Sequence, residues 1–325
     1  MDALASLRRR PAPPAGFALT LELVAAAGAR VRFGYWRRES VERGTVVVLP
    51  GRAEFIEKYA ETLGDLAGHG FSLAILDWRG QGGSDRLLRQ RHRGHVASVD
   101  DYLTDLVAVI ARADALALPR PWLMLAHSMG GHIGMRFLRQ EPGLFAGAAM
   151  TAPMFGIRLA PTPAPVARAL CAAAVWIGAG TRYAPGQRDV DLGRLVFARN
   201  RLTSSPDRYA AFRQCVETAP ELALGGVTYG WLGAALRSIA VTRAPGYLES
   251  IRTPVLILQA GRERLVSNRA QALVARRLPN ARLFRFPDAR HELLMERDEI
   301  RDRVLAAVLA FAQEVSRVRD PPAAS

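Results

Sequence analysis

Three observations predict an α/β chain built on a mostly parallel, doubly wound sheet with a helical lid inserted into it. From residue 17 onward, short β-rich runs alternate with segments of helical period. Several of the runs are apolar without a break, as strands buried on both faces are. The alternation stops over residues 154–250 and then resumes as far as residue 317. Strands alternating with helices imply right-handed crossovers between parallel neighbours.

Each element has its own signal. FALTLELV at 17–24 and ARVRFGYW at 29–36 read as two antiparallel strands. TVVVLPG at 45–51 is a buried strand closed by Pro-Gly, and Phe55, Tyr59, Leu63 and Leu66 give residues 54–68 helical spacing. FSLAILDW at 71–78 is a second buried strand, followed by the glycine-rich turn RGQGGSDR. Helix 99–113, strand PWLMLA at 121–126, helix 129–140 and strand GAAMTAP at 147–153 continue the rhythm. The insert holds PTPAP at 161–165 and helical stretches near 164–177 and 206–218, with no clear buried strand. TPVLILQA at 253–260, helix 267–277, ARLFRF at 281–286 and helix 297–317 complete the sheet. The expected organisation is a flexible arm over 1–16 and core over 17–153, then the lid over 154–250. Core resumes over 251–317, and 318–325 form a disordered tail.

Composition narrows the function. Of 325 residues, 50% are hydrophobic, and 28 Gly with 20 Pro stay below the roughly 25–30% of low-complexity chains. Two cysteines, Cys171 and Cys215, cannot form a disulfide framework and have no metal-type spacing. The net charge of +14 comes almost wholly from arginine, since Lys58 is the sole lysine. Scattered arginines in an alanine-rich chain read first as compositional habit. A second reading is attraction to anionic lipid, which salt would weaken. No zinc-finger spacing or aromatic-basic run points to nucleic acid. The N-terminus lacks the apolar stretch of a signal peptide, and ALCAAAVWIGAG at 169–180 is shorter than the roughly 20 residues of a membrane span. A cytoplasmic protein is expected, peripheral at most on the inner membrane.

AHSMGG at 126–131 carries the strongest chemical signal. A buried strand enters it and a helix leaves it, the frame of a nucleophile elbow that projects Ser128 above the sheet edge. A serine hydroxyl needs a base, and six histidines are available: His69, His92, His95, His127, His132 and His291. His127 adjoins the serine and projects differently, and His132 suits packing or capping. His92 and His95 sit in an Arg-rich loop without metal-type companions, so neither metal nor cofactor is expected. His291 lies in the loop after the final strand, where the base of this arrangement belongs. Glu263 is the only carboxylate in AGRERLVSN, the loop after strand 253–260, and is the expected acid; Asp288 reads better as a turn residue. The backbone amides of Met129, after the nucleophile, and Arg52, in the loop after strand 45–49, are the expected oxyanion donors.

The segments PGRAEFIEKYAETLGDLAGHGFSLAILDWRGQGGSDR, RGHVASVDDYLTDL, AHSMGG, TPVLILQAGRERLVSN and DARHELLMERD fall in order along the chain. Together they resemble the α/β-hydrolases grouped as bacterial lysophospholipases, monoacylglycerol lipases and serine aminopeptidase-like enzymes. The likeness covers roughly 17–152 and 250–317. NRLTSSPDRYAAF and PELALGGVTYGWL resemble the lysophospholipase branch in particular. Pro50 stands where monoglyceride lipases more often carry His, which counts against a purely acylglycerol enzyme. The resemblance implies the α/β-hydrolase fold and hydrolysis of a small lipid ester through Ser128, His291 and Glu263. Trp176, Tyr229, Trp231 and Leu232 would then line an acyl-chain pocket, or else form the insert's own small core. Arg168, Arg182 and Arg201 are candidates to meet a phosphate. Alternatives are an aminopeptidase releasing N-terminal proline, with Asp189, Asp191, Glu217 or Glu221 holding the substrate ammonium, a generalist carboxylesterase, and a non-catalytic binding module. Nothing in the sequence bears on oligomeric state.

Overall fold

Thr45–Leu49 (β3) is buried along its whole length, and its alternate side chains enter opposite sides of the sheet. Val47 and Leu49 join one apolar cluster, Val46 and Val48 the other. The computed structural model describes residues 11–39, 43–159 and 161–319. Around β3 stand β1 (Thr20–Ala26), β2 (Ala29–Trp36), β4 (Ser72–Leu76), β5 (Trp122–His127), β6 (Gly147–Thr151), β7 (Val255–Ala260) and β8 (Ala281–Phe286). Their order is β1-β2-β4-β3-β5-β6-β7-β8. The pairs β1–β2 and β2–β4 are antiparallel and every other pair is parallel.

Helices cover both faces, as a parallel sheet requires. On one side α2 (Asp100–Ala115), α3 (Met129–Gln140) and α7 (Asn268–Arg277) place Leu106, Ile133 and Val274 against Val47 and Met124. On the other, α1 (Ala60–Gly68) and α8 (Asp298–Arg319) place Leu66 and Val304 against Val46 and Leu123. The sheet is therefore doubly wound, as the alternation predicts.

Boundaries differ where a residue has a better partner than the ladder. β1 begins at Thr20, because Phe17 packs edge-on against Trp36 at 5.2 Å. The helix expected over 54–68 opens as a 3₁₀ turn, Ile56–Tyr59, since Phe55 is still extended.

Between β6 and β7 lie α4 (Ala164–Trp176), α5 (Pro206–Thr218) and α6 (Tyr229–Thr242), with no strand of the sheet among the described residues. Proline in the first turn of α4 and α5 fits its fixed φ and missing N–H. The sequence reading does not include α6, whose neighbourhood carries Gly225, Gly226, Gly230 and Gly233 and has low intrinsic helix propensity. The Thr228 hydroxyl caps it by accepting the Trp231 amide at 3.2 Å, and packing against α4 supplies what propensity does not. No helix among the described residues is long and apolar enough to cross a membrane. The arginines at 8–10 and the tail beyond Arg319 lie outside the described residues.

Candidate active site

Ser128 alone joins β5 to α3, and the turn forces it to φ 49°, ψ −111°. A residue with a Cβ adopts such a conformation only where its surroundings over-determine it. Here the Ser128 amide donates to the Thr151 carbonyl at 3.0 Å and the Ser128 carbonyl accepts the Met154 amide at 2.8 Å. Gly130 is obligatory beside it, because a Cβ there would lie 2.2 Å from the Leu49 carbonyl oxygen.

Two loops at the same sheet edge bring the partners. After β8, His291 turns its Nε2 to 3.0 Å from Ser128 Oγ. After β7, Glu263 Oε2 lies 2.7 Å from His291 Nδ1. The other Glu263 oxygen accepts the amides of Arg264, Leu265 and Val266 at 2.8, 2.7 and 3.3 Å. Burial pushes the Glu263 carboxyl up. The hydrogen bond and charge of His291 and the loop amides outweigh that, and its pKa falls below the ordinary range. A carboxylate, imidazole and hydroxyl in this order can move a proton off the hydroxyl while the acid fixes the ring's tautomer.

The two amides expected as oxyanion donors, those of Met129 and Arg52, each have a definite structural setting. Met129 is the first residue of α3, so its N–H has no intrahelical acceptor and sits at the positive end of the helix. Its side chain lies in the core. Arg52 follows Gly51, whose absent Cβ leaves room for Glu54 Oε2 and His127 Cδ2, both within 2.9 Å of where it would stand. The Glu54 carboxylate accepts the Gly51 amide and so fixes the loop that presents Arg52.

The sequence reading missed what lies beneath that loop. Lys58 donates to Glu54 at 2.7 Å and to Glu292 at 2.6 Å, and the Tyr59 hydroxyl donates to Glu54 at 2.6 Å. All four side chains are buried. Burial alone would raise Glu54, but the charges of Lys58 and His127 pull it down to about 2. Burial raises Glu292 despite Lys58, and the two carboxylates together outweigh desolvation and push Lys58 up. The available signal was compositional, since a chain that uses arginine everywhere else keeps one lysine, in EFIEK.

Lys58→Met leaves two buried carboxylates without a cation, and the expected loss is about 3–5 kcal/mol at pH 7. Glu54's contribution in the parent is present above the unfolded value and lost as pH falls through about 2. In the variant, burial raises Glu54 instead and raises Glu292 further, and their penalty is relieved on acidification. Urea denaturation should therefore show a gap between parent and variant that narrows from pH 7 to pH 4.

Three of the remaining histidines are engaged elsewhere. His127 Nδ1 sits 3.0 Å from Thr151 Oγ1, and burial lowers its pKa to about 4. His132 is buried with Nε2 2.7 Å from Ser238 Oγ, and burial lowers it to about 3. His95 Nδ1 lies 2.8 Å from Thr228 Oγ1. Asp288 is exposed and pairs with Arg262 at 2.8 Å.

Ser128 and His291 open into a cavity of about 1120 Å³ between the sheet edge and the insert. Its wall is largely apolar, with Leu170 and Ala174 from α4, Val216 from α5 and Leu232 from α6. Of the four insert residues named from sequence, Tyr229, Trp231 and Leu232 line the cavity. Trp176 does not, and is 88% exposed at the end of α4. Of the three arginines, Arg201 lines the cavity and Arg168 and Arg182 do not. Asp189, Asp191, Glu217 and Glu221 are exposed and stand outside the lining. The carboxylates that do line it, Glu54 and Glu292, are held by Lys58. Cys171 is buried in the wall and Cys215 is half-buried, both as free thiols.

Comparison with known proteins agrees with this architecture. The chain is 37% identical over 294 residues to lysophospholipase L2 of Escherichia coli K12, covering 86% of this chain and 83% of that protein. It is 32% identical to the probable lysophospholipase L2 of Haemophilus influenzae, covering 84% and 85%. A soluble variant of the Saccharomyces cerevisiae monoglyceride lipase superposes with a TM-score of 0.72 at 17% identity, over 93% of this chain and 100% of that one. The family described as serine aminopeptidase, S33, matches residues 40–298. A match over most of the chain, on a doubly wound sheet with its elbow serine at the carboxyl edge, makes this protein a member of the S33 serine aminopeptidase family of α/β-hydrolases.

Proposed function

We propose that the protein is a serine hydrolase that cleaves carboxylic esters of single-chain lipids, lysophospholipids first. One observation carries the reading: the hydrogen-bonded series Glu263–His291–Ser128 opens onto a large, mostly apolar cavity. Ser128 Oγ attacks the ester carbonyl carbon while His291 Nε2 takes its proton. The amides of Arg52 and Met129 receive the developing oxyanion. His291 then protonates the departing alcohol, and water, deprotonated by His291, hydrolyses the acyl-enzyme. Glu263 holds the ring throughout.

The apolar wall suits an acyl chain, and the names of the relatives support lipid esters. Residues 154–250 serve as the lid between the core segments 17–153 and 251–317. Val166, Leu170 and Trp176 are exposed on α4 and Ile177 just past its end, which supports weak seating on a membrane surface of an otherwise cytoplasmic protein. The peptidase reading is disfavoured because the carboxylates that could hold a substrate ammonium stand outside the cavity lining or are held by Lys58.

The test is release of fatty acid, read by mass spectrometry without detergent, from lysophosphatidylcholine and from monoacylglycerol, beside a prolyl-naphthylamide. Ester turnover with little or no amine release is the expected result. Amine release without ester turnover would overturn the proposal.

A further inference from the structure

Arg52 brings a second group to the cavity besides its amide. Its guanidinium lies over the Trp231 ring at 5.5 Å, and both residues line the cavity. Nη2 donates to the Gly225 carbonyl, and Nε is buried with no partner. No carboxylate pairs with the part-buried Arg52 among the described residues, whereas each fully buried cation has one. Lys58 reaches Glu292 at 2.6 Å, Arg79 reaches Asp105 at 2.7 Å and Arg301 reaches Asp65 at 2.6 Å. Enclosed cations are ordinarily paired in this way, because desolvating an unpaired charge is costly. Desolvation does lower Arg52, to about 10, which leaves it charged at neutral pH.

The surroundings make room for this charge and add to it. A Cβ on Gly94 would stand 2.7 Å from Arg52 Nη2 and 3.2 Å from Nε, so glycine there admits the guanidinium. Arg93, the neighbouring residue, stacks over Tyr183 at 5.3 Å and brings a second positive charge to the same region.

We propose that the Arg52 guanidinium receives the phosphate oxyanion of the substrate's head group. The inference rests on the lysophospholipid reading above and identifies how that site would tell a phospholipid from a neutral ester. Covalent reach fits the two roles of one residue. The same number of bonds separates the Arg52 amide nitrogen from Cζ as separates the ester carbonyl carbon of a lysophospholipid from its phosphorus. With the amide on the ester oxyanion, the guanidinium can meet the phosphate. A planar guanidinium suits a phosphate oxyanion better than a point charge does.

The experiment compares kcat/KM for lysophosphatidylcholine with that for the monoacylglycerol of the same acyl chain. Arg52→Gln should lower the ratio by about 10–100-fold, the range of a charge-assisted hydrogen bond. Arg52→Lys, which keeps charge without the fork, should fall between. As a second readout, sn-glycerol 3-phosphate should inhibit p-nitrophenyl butyrate turnover competitively and weaken at least tenfold in Arg52→Gln. Glycerol should show no such change. An unchanged substrate ratio, including one where both substrates fall together, overturns the inference while leaving the ester-hydrolase reading intact. Inorganic phosphate inhibiting as well as glycerol phosphate, with the ratio unchanged, also overturns it by marking a site for free anions. Absence of Ser128-dependent ester turnover in the parent protein instead defeats the functional reading.

Discussion

Ser128→Ala is expected to lower kcat for a p-nitrophenyl ester by about 10⁴–10⁶-fold while leaving KM within a few-fold. Alanine keeps the Cβ and pays the same backbone strain at φ 49° as serine does, so the elbow and its bonds to Thr151 and Met154 survive. Only the hydroxyl facing His291 is lost. The cavity wall proposed to hold the acyl chain is unchanged, which is why binding should persist. Residual turnover above the uncatalysed reaction should come from the amide donors and from binding. A fluorophosphonate probe should label the parent and not the variant. Equal ester rates in the two proteins would end the serine mechanism.

The parts of this molecule that were legible in sequence are those whose chemistry is local or whose order along the chain is set by topology. A buried strand, a tight turn with small residues and a helix are contiguous, so Ser128 could be read from one short segment. Glu263 and His291 are distant in sequence, but each occupies the loop after a recognisable strand, and parallel strands deliver such loops to one edge. The Glu54–Lys58–Glu292 cluster was not legible, because its closure joins residues 234 apart and no local pattern announces the pairing. Trp176 was ambiguous for a different reason. α4 is apolar on the side that faces the cavity, through Cys171 and Ala174, and also on its open side, through Val166 and Trp176. A helix apolar over most of its circumference has no period that tells inside from outside. α6 was missed because its glycines argue against the helix that its Thr228 cap and its packing against α4 produce.

Glu263→Gln is expected to reduce kcat by about 10³–10⁴-fold with far less effect on folding. The amide is nearly isosteric, and its oxygen can still accept the Arg264 and Leu265 amides that the carboxylate accepts now. That places the NH₂ toward His291 Nδ1, which must then accept rather than donate. The imidazole is driven into the tautomer with its proton on Nε2, facing Ser128, where it can no longer take the serine's proton. Glu263→Asp, which keeps the acid on a shorter stem, should recover part of the rate, and a purely packing role would not predict that order. Stability supplies an independent readout. The carboxyl's folded pKa lies below its ordinary value, so its contribution is present above the unfolded value and disappears as pH falls through the folded one. Glutamine has no such titration. The difference in melting temperature between parent and Glu263→Gln should therefore be largest near neutrality and shrink below about pH 4. A variant that melts like the parent at every pH and still turns over at the parent's rate would show that this carboxylate orients nothing.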